Sequence, residues 1–198
     1  MVLAFLIFNG TILFAQKTVG TNAVNDTVRA KWGKTKIVDG AAMVSSNDVV
    51  ENITLSKEYT VFVKAIENAG LTDTFKSKGP ITVFAPTDMA FEKLPAGQLD
   101  TLLKPEHKLD LSMIITYHAI AGRVTAKDIA KKINSGNGLA TFTTIAGSKI
   151  TAKIDENRNI VLIDENGGEC IISKFDVQQS NGMLHVVNAV LIPKTRAI

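Results

Sequence analysis

The sequence predicts an α+β fold in which helices come first and strands follow. Apolar residues recur at helical spacing in several segments up to residue 135, and short β-branched segments separated by Gly, Asn and Asp dominate from residue 139 onward. One buried strand is expected early, at residues 81–85. Helices that precede the strands, instead of alternating with them, are typical of an α+β domain.

The composition is that of a globular chain about one domain long. The chain has 198 residues, of which 45% are hydrophobic and 21% charged, and these values exclude a largely disordered protein. Cys170 is the single cysteine, so an intrachain disulfide and a zinc cluster built on Cys and His are both excluded. We expect neither a cofactor nor a metal ion.

The net charge of +3 lies mostly outside the predicted domain. Residues 17–45 carry five basic residues against two acidic ones, whereas residues 46–198 carry 17 of each kind. A nucleic-acid-binding domain normally has a basic face on the fold itself. We therefore expect no nucleic-acid partner.

The amino-terminal segment predicts export. Residues 1–15 are nearly all apolar and uncharged, and they are too few for a membrane-spanning helix of about 20 residues. They fit the hydrophobic region of a secretory signal that is cleaved after Ala15. The alternative is a buried amino-terminal strand or helix. Residues 16–44 are interpreted as a basic linker and extended lead-in, and residues 45–194 as the domain, located outside the cell or in the periplasm.

The first helices are predicted from their apolar stripes and end signals. Residues 57–69 place apolar side chains on one face, and Gly70 follows as a stop. A shorter helix before it has Ser45 or Ser46 as its cap. After the strand at residues 81–85, Thr87 or Asp88 can cap a turn of helix that returns Phe91 to the core.

Two more helices and a set of strands follow. Pro105 suits the first turn of a helix that carries Leu111, Ile115 and His118 on one face. Thr125 and Asp128 resemble a capping box before a helix whose apolar side holds Ile129 and Ile133. Strands are predicted at residues 141–145, 149–154, 159–163, 169–175 and 183–192, and the last of these is apolar on both faces, as a covered central strand would be. The repeated IDEN segments at residues 154–157 and 163–166 are interpreted as hairpin turns.

Three stretches resemble the signatures of the fasciclin domain family. They are TVFAPTDMAF at residues 82–91, the pair Tyr117-His118, and NGMLHVVNAVLIP at residues 181–193, and they occur in the family's order. Asn188 stands where the family usually has Asp. The resemblance implies a wedge-shaped β-sandwich with several helices packed across it, and a role in adhesion or in contact with the extracellular matrix.

Four residues are candidates for binding: Tyr117, His118, Asp176 and His185. Both histidines lie on otherwise apolar faces, and a buried imidazole must hydrogen-bond or bear a desolvation penalty, so a structural role explains them more simply. No Gly-x-Ser-x-Gly elbow is present, and Cys170 lies inside a strand pattern. We therefore expect no catalytic residues and no enzymatic turnover.

Two classes of function remain open. The first is a secreted adhesion or matrix-interaction module that binds a cell-surface or matrix protein or polysaccharide, with association at a membrane surface as a further possibility. The alternative is an extracytoplasmic carrier that holds a small apolar ligand, a lipid or a pigment, in a groove between helices and sheet. The sequence leaves the identity of the partner and the oligomeric state open.

Overall fold

The computed structural model of the protein describes residues 33–77 and 79–194. The signal segment expected at residues 1–15 lies outside the described residues, as does the linker up to residue 32. No helix in the described ranges is long and apolar enough to cross a bilayer.

The helices precede most of the strands, as predicted. In chain order they are α1 Val49–Thr54, α2 Thr60–Ala69, α3 Thr72–Lys76, α4 Asp88–Phe91, α5 Gln98–Leu102, a 3-10 turn at Pro105–His107, α6 Lys108–Tyr117 and α7 Ala126–Ser135. The strands are β1 Thr35–Val38, β2 Ala41–Val44, β3 Ile81–Pro86, β4 Ala119–Ala121, β5 Leu139–Thr143, β6 Lys149–Ile154, β7 Ile160–Ile163, β8 Glu169–Gln179 and β9 Gly182–Val187.

Seven strands form one mixed sheet in the order β4-β3-β9-β8-β7-β6-β5. The central strands β3 and β9 are parallel, and the other neighbours in this sheet are antiparallel. Its two edges meet where Ile120 bridges to Thr144 and the Ile145 N–H donates to the Ala119 carbonyl over 2.7 Å. The sheet is therefore curled nearly into a barrel, and with the helices it confirms the predicted α+β fold class.

Strands β1 and β2 form a separate antiparallel hairpin. These residues belong to the segment that the sequence analysis assigned to the extended lead-in. Val38 and Met43 of the hairpin are nonetheless buried in the same core cluster as the first helices. The packed core of the domain thus includes residues before position 45.

The central strands separate two apolar clusters. One cluster packs α1, α2 and α3 against Val83 and Leu184, and the other packs α7 against Phe84 and Val187. All six residues of β9 are buried, which confirms the prediction of a strand covered on both faces. Gly182 is required at its start, because a Cβ there would lie 1.8 Å from the Ile81 carbonyl oxygen.

Several boundaries differ from the predictions. Helix α1 is capped by Asp48, which forms a capping box with Glu51, and not by Ser45 or Ser46, because the Ser45 hydroxyl accepts from the Lys34 N–H instead. Helix α2 begins three residues later than predicted and ends at Gly70, whose φ of +72° places it in the left-handed region.

Strand β5 begins and ends two residues earlier than predicted, β9 ends at Val187, and β8 continues to Gln179. The short elements α3, α5 and β4 were missed.

Candidate functional site

His118 lies at the end of α6 and joins two backbone segments. Its Nδ1–H donates to the Ile114 carbonyl over 2.8 Å, and its Nε2 accepts from the Leu191 N–H over 3.0 Å. This pairing requires the neutral ring with the proton on Nδ1. Burial lowers the pKa of His118 to about 4, so the neutral form persists in mild acid.

His185 lies in β9 and likewise joins two backbone segments. Its Nε2–H donates to the Val124 carbonyl over 2.9 Å, and its Nδ1 accepts from the Asp176 N–H over 3.3 Å. The ring also stacks on Phe84, with centroids 5.7 Å apart. Burial lowers the pKa of His185. The expectation that each histidine is buried and bound to backbone groups is confirmed.

The Tyr117 side chain connects α6 to β6 and to the turn that follows β7. Its hydroxyl donates to the Lys149 carbonyl over 2.6 Å and accepts from the Glu165 N–H over 3.2 Å. Burial raises the pKa of Tyr117 above its ordinary value. The side chain thus links the first residue of β6 to the turn between β7 and β8.

Asp176 lies in an irregular part of β8 with a φ of +58°. Its Oδ1 accepts from the Ala126 N–H over 2.8 Å at the start of α7, while its own N–H donates to His185. The structure therefore brings Asp176 and His185 together, whereas Tyr117 and His118 bind other parts of the backbone. Of the four candidates, Asp176 is the one that is not fully buried.

The hydrogen bonds of these side chains are those expected of residues that support the fold. Both ring nitrogens of each histidine are occupied by backbone groups. Cys170 is 1% exposed, and burial raises the pKa of its thiol to about 12, so it is held as the inert thiol. Within the described ranges, no group of three or more His, Cys, Asp or Glu side chains could hold a metal ion.

An exposed aromatic residue, Phe175, lies beside Asp176 and was not predicted from the sequence. The register of β8 against β9 shifts between Ile172 and Lys174 and again between Lys174 and Val177. As a result Ser173, Lys174 and Phe175 are all exposed, and Phe175 is 51% exposed. The buried positions of β8 are even-numbered up to Ile172 and odd-numbered from Val177 onward. A bulge between these two residues explains the change.

Lys36 of the β1–β2 hairpin lies beside the Phe175 ring. Its Nζ donates to the Phe175 carbonyl and lies 6.0 Å from the ring centroid. Lys34, Lys36 and Lys174 are exposed, and Lys34 and Lys36 line a shallow pocket together with Asp176. We call Lys36, Lys174, Phe175 and Asp176 the Phe175 surface.

A cleft of about 380 Å³ lies where the two edges of the sheet part, between β4, α7 and β5. Ile120, Val124 and Phe142 contribute apolar walls. Lys132 occupies its rim, with Nζ 4.3 Å from the Phe142 ring centroid and bound to the Thr141 carbonyl. The cleft is open to the surface, and the two core clusters occupy the interior between the helices and the sheet.

The fold and these supports define a class: an α+β domain with a curled mixed sheet, helices packed across it, and buried histidines that tie its turns together. The family model of the fasciclin domain matches residues 57–193. The chain belongs to the fasciclin domain family.

Relatives and a solved structure agree with this assignment. Protein sll1483 of Synechocystis sp. is 34% identical over 160 residues, which cover 81% of each chain. The cell surface glycolipoprotein MPB83 of Mycobacterium bovis is 31% identical over 153 residues, covering 77% of this chain and 60% of that protein. A FAS1 domain pair from the insect cell adhesion molecule Fasciclin I superposes with a TM-score of 0.64 at 19% identity, covering 74% of this chain and 51% of that chain. That likeness shows the fold. These findings do not favour the carrier alternative.

Proposed function

We propose that the protein is a secreted, non-catalytic adhesion module that binds a protein or polysaccharide partner at the cell surface. The observation that carries this proposal is the Phe175 surface. A half-exposed Phe on a strand bulge, flanked by Lys36 and Lys174, has the composition of a binding anchor. Aromatic side chains are enriched at protein interfaces and supply much of their binding energy.

The charges around Phe175 favour an acidic partner. Lys34, Lys36 and Lys174 are exposed, whereas the Asp176 carboxylate is engaged with the Ala126 N–H. Asp176 belongs to the Phe175 surface and ties the bulge to the start of α7 through this hydrogen bond. Tyr117, His118 and His185 support the fold from within, since each of these side chains is buried.

The non-catalytic part of the proposal rests on the two buried histidines, His118 and His185. A general base needs a free acceptor within reach of a proton on the substrate. Here the acceptor nitrogen of each ring binds a backbone N–H instead. Screens for hydrolase activity should therefore detect no turnover. Turnover that disappears in a folded His118→Ala variant would contradict this part.

Export is supported by the apolar segment at residues 1–15 and by the name of the MPB83 relative, a cell surface glycolipoprotein. Amino-terminal sequencing of the secreted protein should begin near Gln16. Full-length protein recovered from the cytoplasm would contradict export.

The adhesion proposal can be tested on surfaces coated with the full chain. Cells of the source organism should be retained by the parent protein and several-fold less by Phe175→Ala. Met89→Ala is the matched control, because Met89 is 66% exposed on α4, away from β8. Both variants should melt like the parent. If Phe175→Ala retains cells as well as the parent, the surface is misassigned, and if the parent retains no more cells than an albumin coating, adhesion is wrong.

A further inference from the structure

The segment after β9 is held to the domain by side chains. We call residues 188–194 the strap. The Leu191 N–H donates to His118 Nε2 over 3.0 Å, the Ile192 N–H to Asp164 Oδ2 over 3.0 Å, and the Lys194 N–H to Glu165 Oε2 over 3.2 Å. Pro193 has no N–H. Every backbone N–H of residues 191–194 therefore donates to a titratable side chain.

Other contacts anchor the start of the strap more firmly than its end. Asn188 exchanges two hydrogen bonds with Ile171, through its backbone N–H and its side-chain oxygen, and its carbonyl accepts from Lys93 Nζ. Further along, the Asn166 amide donates to the Ile192 carbonyl over 2.8 Å, and Leu191 is buried in the core cluster that contains Tyr117. Residue 188 is thus fixed to β8, whereas residues 191–194 depend on the three titratable acceptors, on the Asn166 amide and on the burial of Leu191.

We propose that the strap is a proton-controlled latch, in which acid frees residues 191–194 from the turn between β7 and β8 while the sheet stays folded. The His118 Nδ1–H is already committed to Ile114, so a second proton must go to Nε2. That nitrogen then presents an N–H to the Leu191 N–H, and the hydrogen bond is lost. Protonation of Asp164 and Glu165 removes the negative charge that makes each carboxylate a strong acceptor.

The titratable and charged side chains around the strap determine whether acid opens or closes the latch. Burial lowers the pKa of His118 to about 4, and the Asp164 carboxylate acts in the opposite direction by favouring the charged ring. The Tyr117 hydroxyl and the Cys170 thiol also lie within the influence of Asp164, and Lys93 near Cys170 opposes it. Glu165 additionally accepts from the Lys149 N–H. The latch is therefore closed at neutral pH and opens as the pH falls towards about 4.

Amide hydrogen exchange of the full chain, measured residue by residue by NMR between neutral pH and pH near 4, tests the latch. The protection factors of Leu191, Ile192 and Lys194 should fall at least tenfold relative to those of Leu184 and Val186 in β9. A loss of protection in β9 and the strap together would mean global acid unfolding and would overturn the proposal. Constant protection of the strap would overturn it as well.

A pair of matched variants separates the latch from general charge effects. Glu165→Gln keeps a side-chain oxygen near the Lys194 N–H but removes its titration, so the pH dependence of Lys194 protection should shrink several-fold. Glu169→Gln removes the same charge from β8, where Glu169 pairs with Lys153 and not with the strap, and it should behave like the parent. The latch is wrong if both variants retain the parent's pH dependence.

Discussion

A neutral imidazole can donate from one nitrogen and accept at the other, and the two buried histidines, His118 and His185, use that property. His118 joins Ile114 to Leu191, and His185 joins Val124 to Asp176. Each ring satisfies two backbone groups that would otherwise be buried without partners. We therefore expect both side chains to be determinants of the fold.

Replacement of either histidine by Ala should lower the free energy of unfolding by about 2–4 kcal/mol, since it removes packing and leaves two backbone groups unpaired. Lys131→Ala, at an exposed position of α7, should change it by less than about 0.5 kcal/mol. Thermal and urea unfolding of the three variants and the parent measure this. If both histidine variants melt like the parent while partner binding disappears, the rings belong to a binding surface.

The depressed pKa of His118 also predicts a pH dependence of stability. In the unfolded chain the ring titrates near pH 6.5 and in the folded domain near pH 4. Between these values the unfolded state binds the extra proton, so stability is fully present above about pH 6.5 and falls as the pH drops towards 4, by roughly 3 kcal/mol. Urea unfolding across this range should show the decline. A His118→Gln variant should lose this part of the slope, and an unchanged slope would contradict the assignment.

At the scale of elements, the turn after β3 organises two helices at once. The Thr87 side chain accepts from the Ala90 N–H and caps α4. Asp88 instead reaches α2, whose own N-cap residue makes no side-chain cap. Its Oδ1 accepts from the Val61 N–H over 2.9 Å and its Oδ2 from the Thr60 hydroxyl over 2.6 Å. One turn thus terminates the central strand, starts one helix and caps another.

Asp88→Ala should therefore lower the free energy of unfolding by about 1–2 kcal/mol, as the loss of a helix cap does. Glu67→Ala is the control, because Glu67 is exposed in the same helix, and it should have an effect within about 0.5 kcal/mol. Equal unfolding midpoints for the two variants would show that Asp88 does not stabilise α2.

At the scale of the whole molecule, β3 and β9 contribute residues to both core clusters, so we expect the domain to unfold as one cooperative unit. Cys170 lies within the second cluster, and burial raises the pKa of its thiol to about 12. Thiol labelling of the native protein should consequently be slow and should accelerate in parallel with global unfolding as urea is added. The chain unfolded in concentrated urea supplies the reference rate. Rapid labelling under native conditions would show that β8 opens independently of the rest.

The elements predicted correctly from the sequence are those whose signals are local. The capping box of Thr125 and Asp128, the apolar side of α7 and the covered strand β9 all follow from spacing along the chain. The missed elements α3, α5 and β4 are 3–5 residues long, too short for a periodic pattern to identify them. Asp48 was missed as a cap because several Ser and Asp residues precede α1, and the tertiary contact of Ser45 with Lys34 decided between them.

The α+β class and the buried positions of His118 and His185 follow from the sequence alone, because the spacing of apolar residues specifies which faces leave water. The resemblance to the fasciclin domain follows from three motifs in the sequence. The packing of distant segments sets which backbone groups those side chains bind, since their partners lie up to 73 residues away in the chain. It also decides that Asp88 caps α2, that the bulge of β8 exposes Phe175, and that three titratable side chains hold the strap. A hydrogen bond acts over about 3 Å, so its partners are set by how distant segments pack and not by their order in the chain.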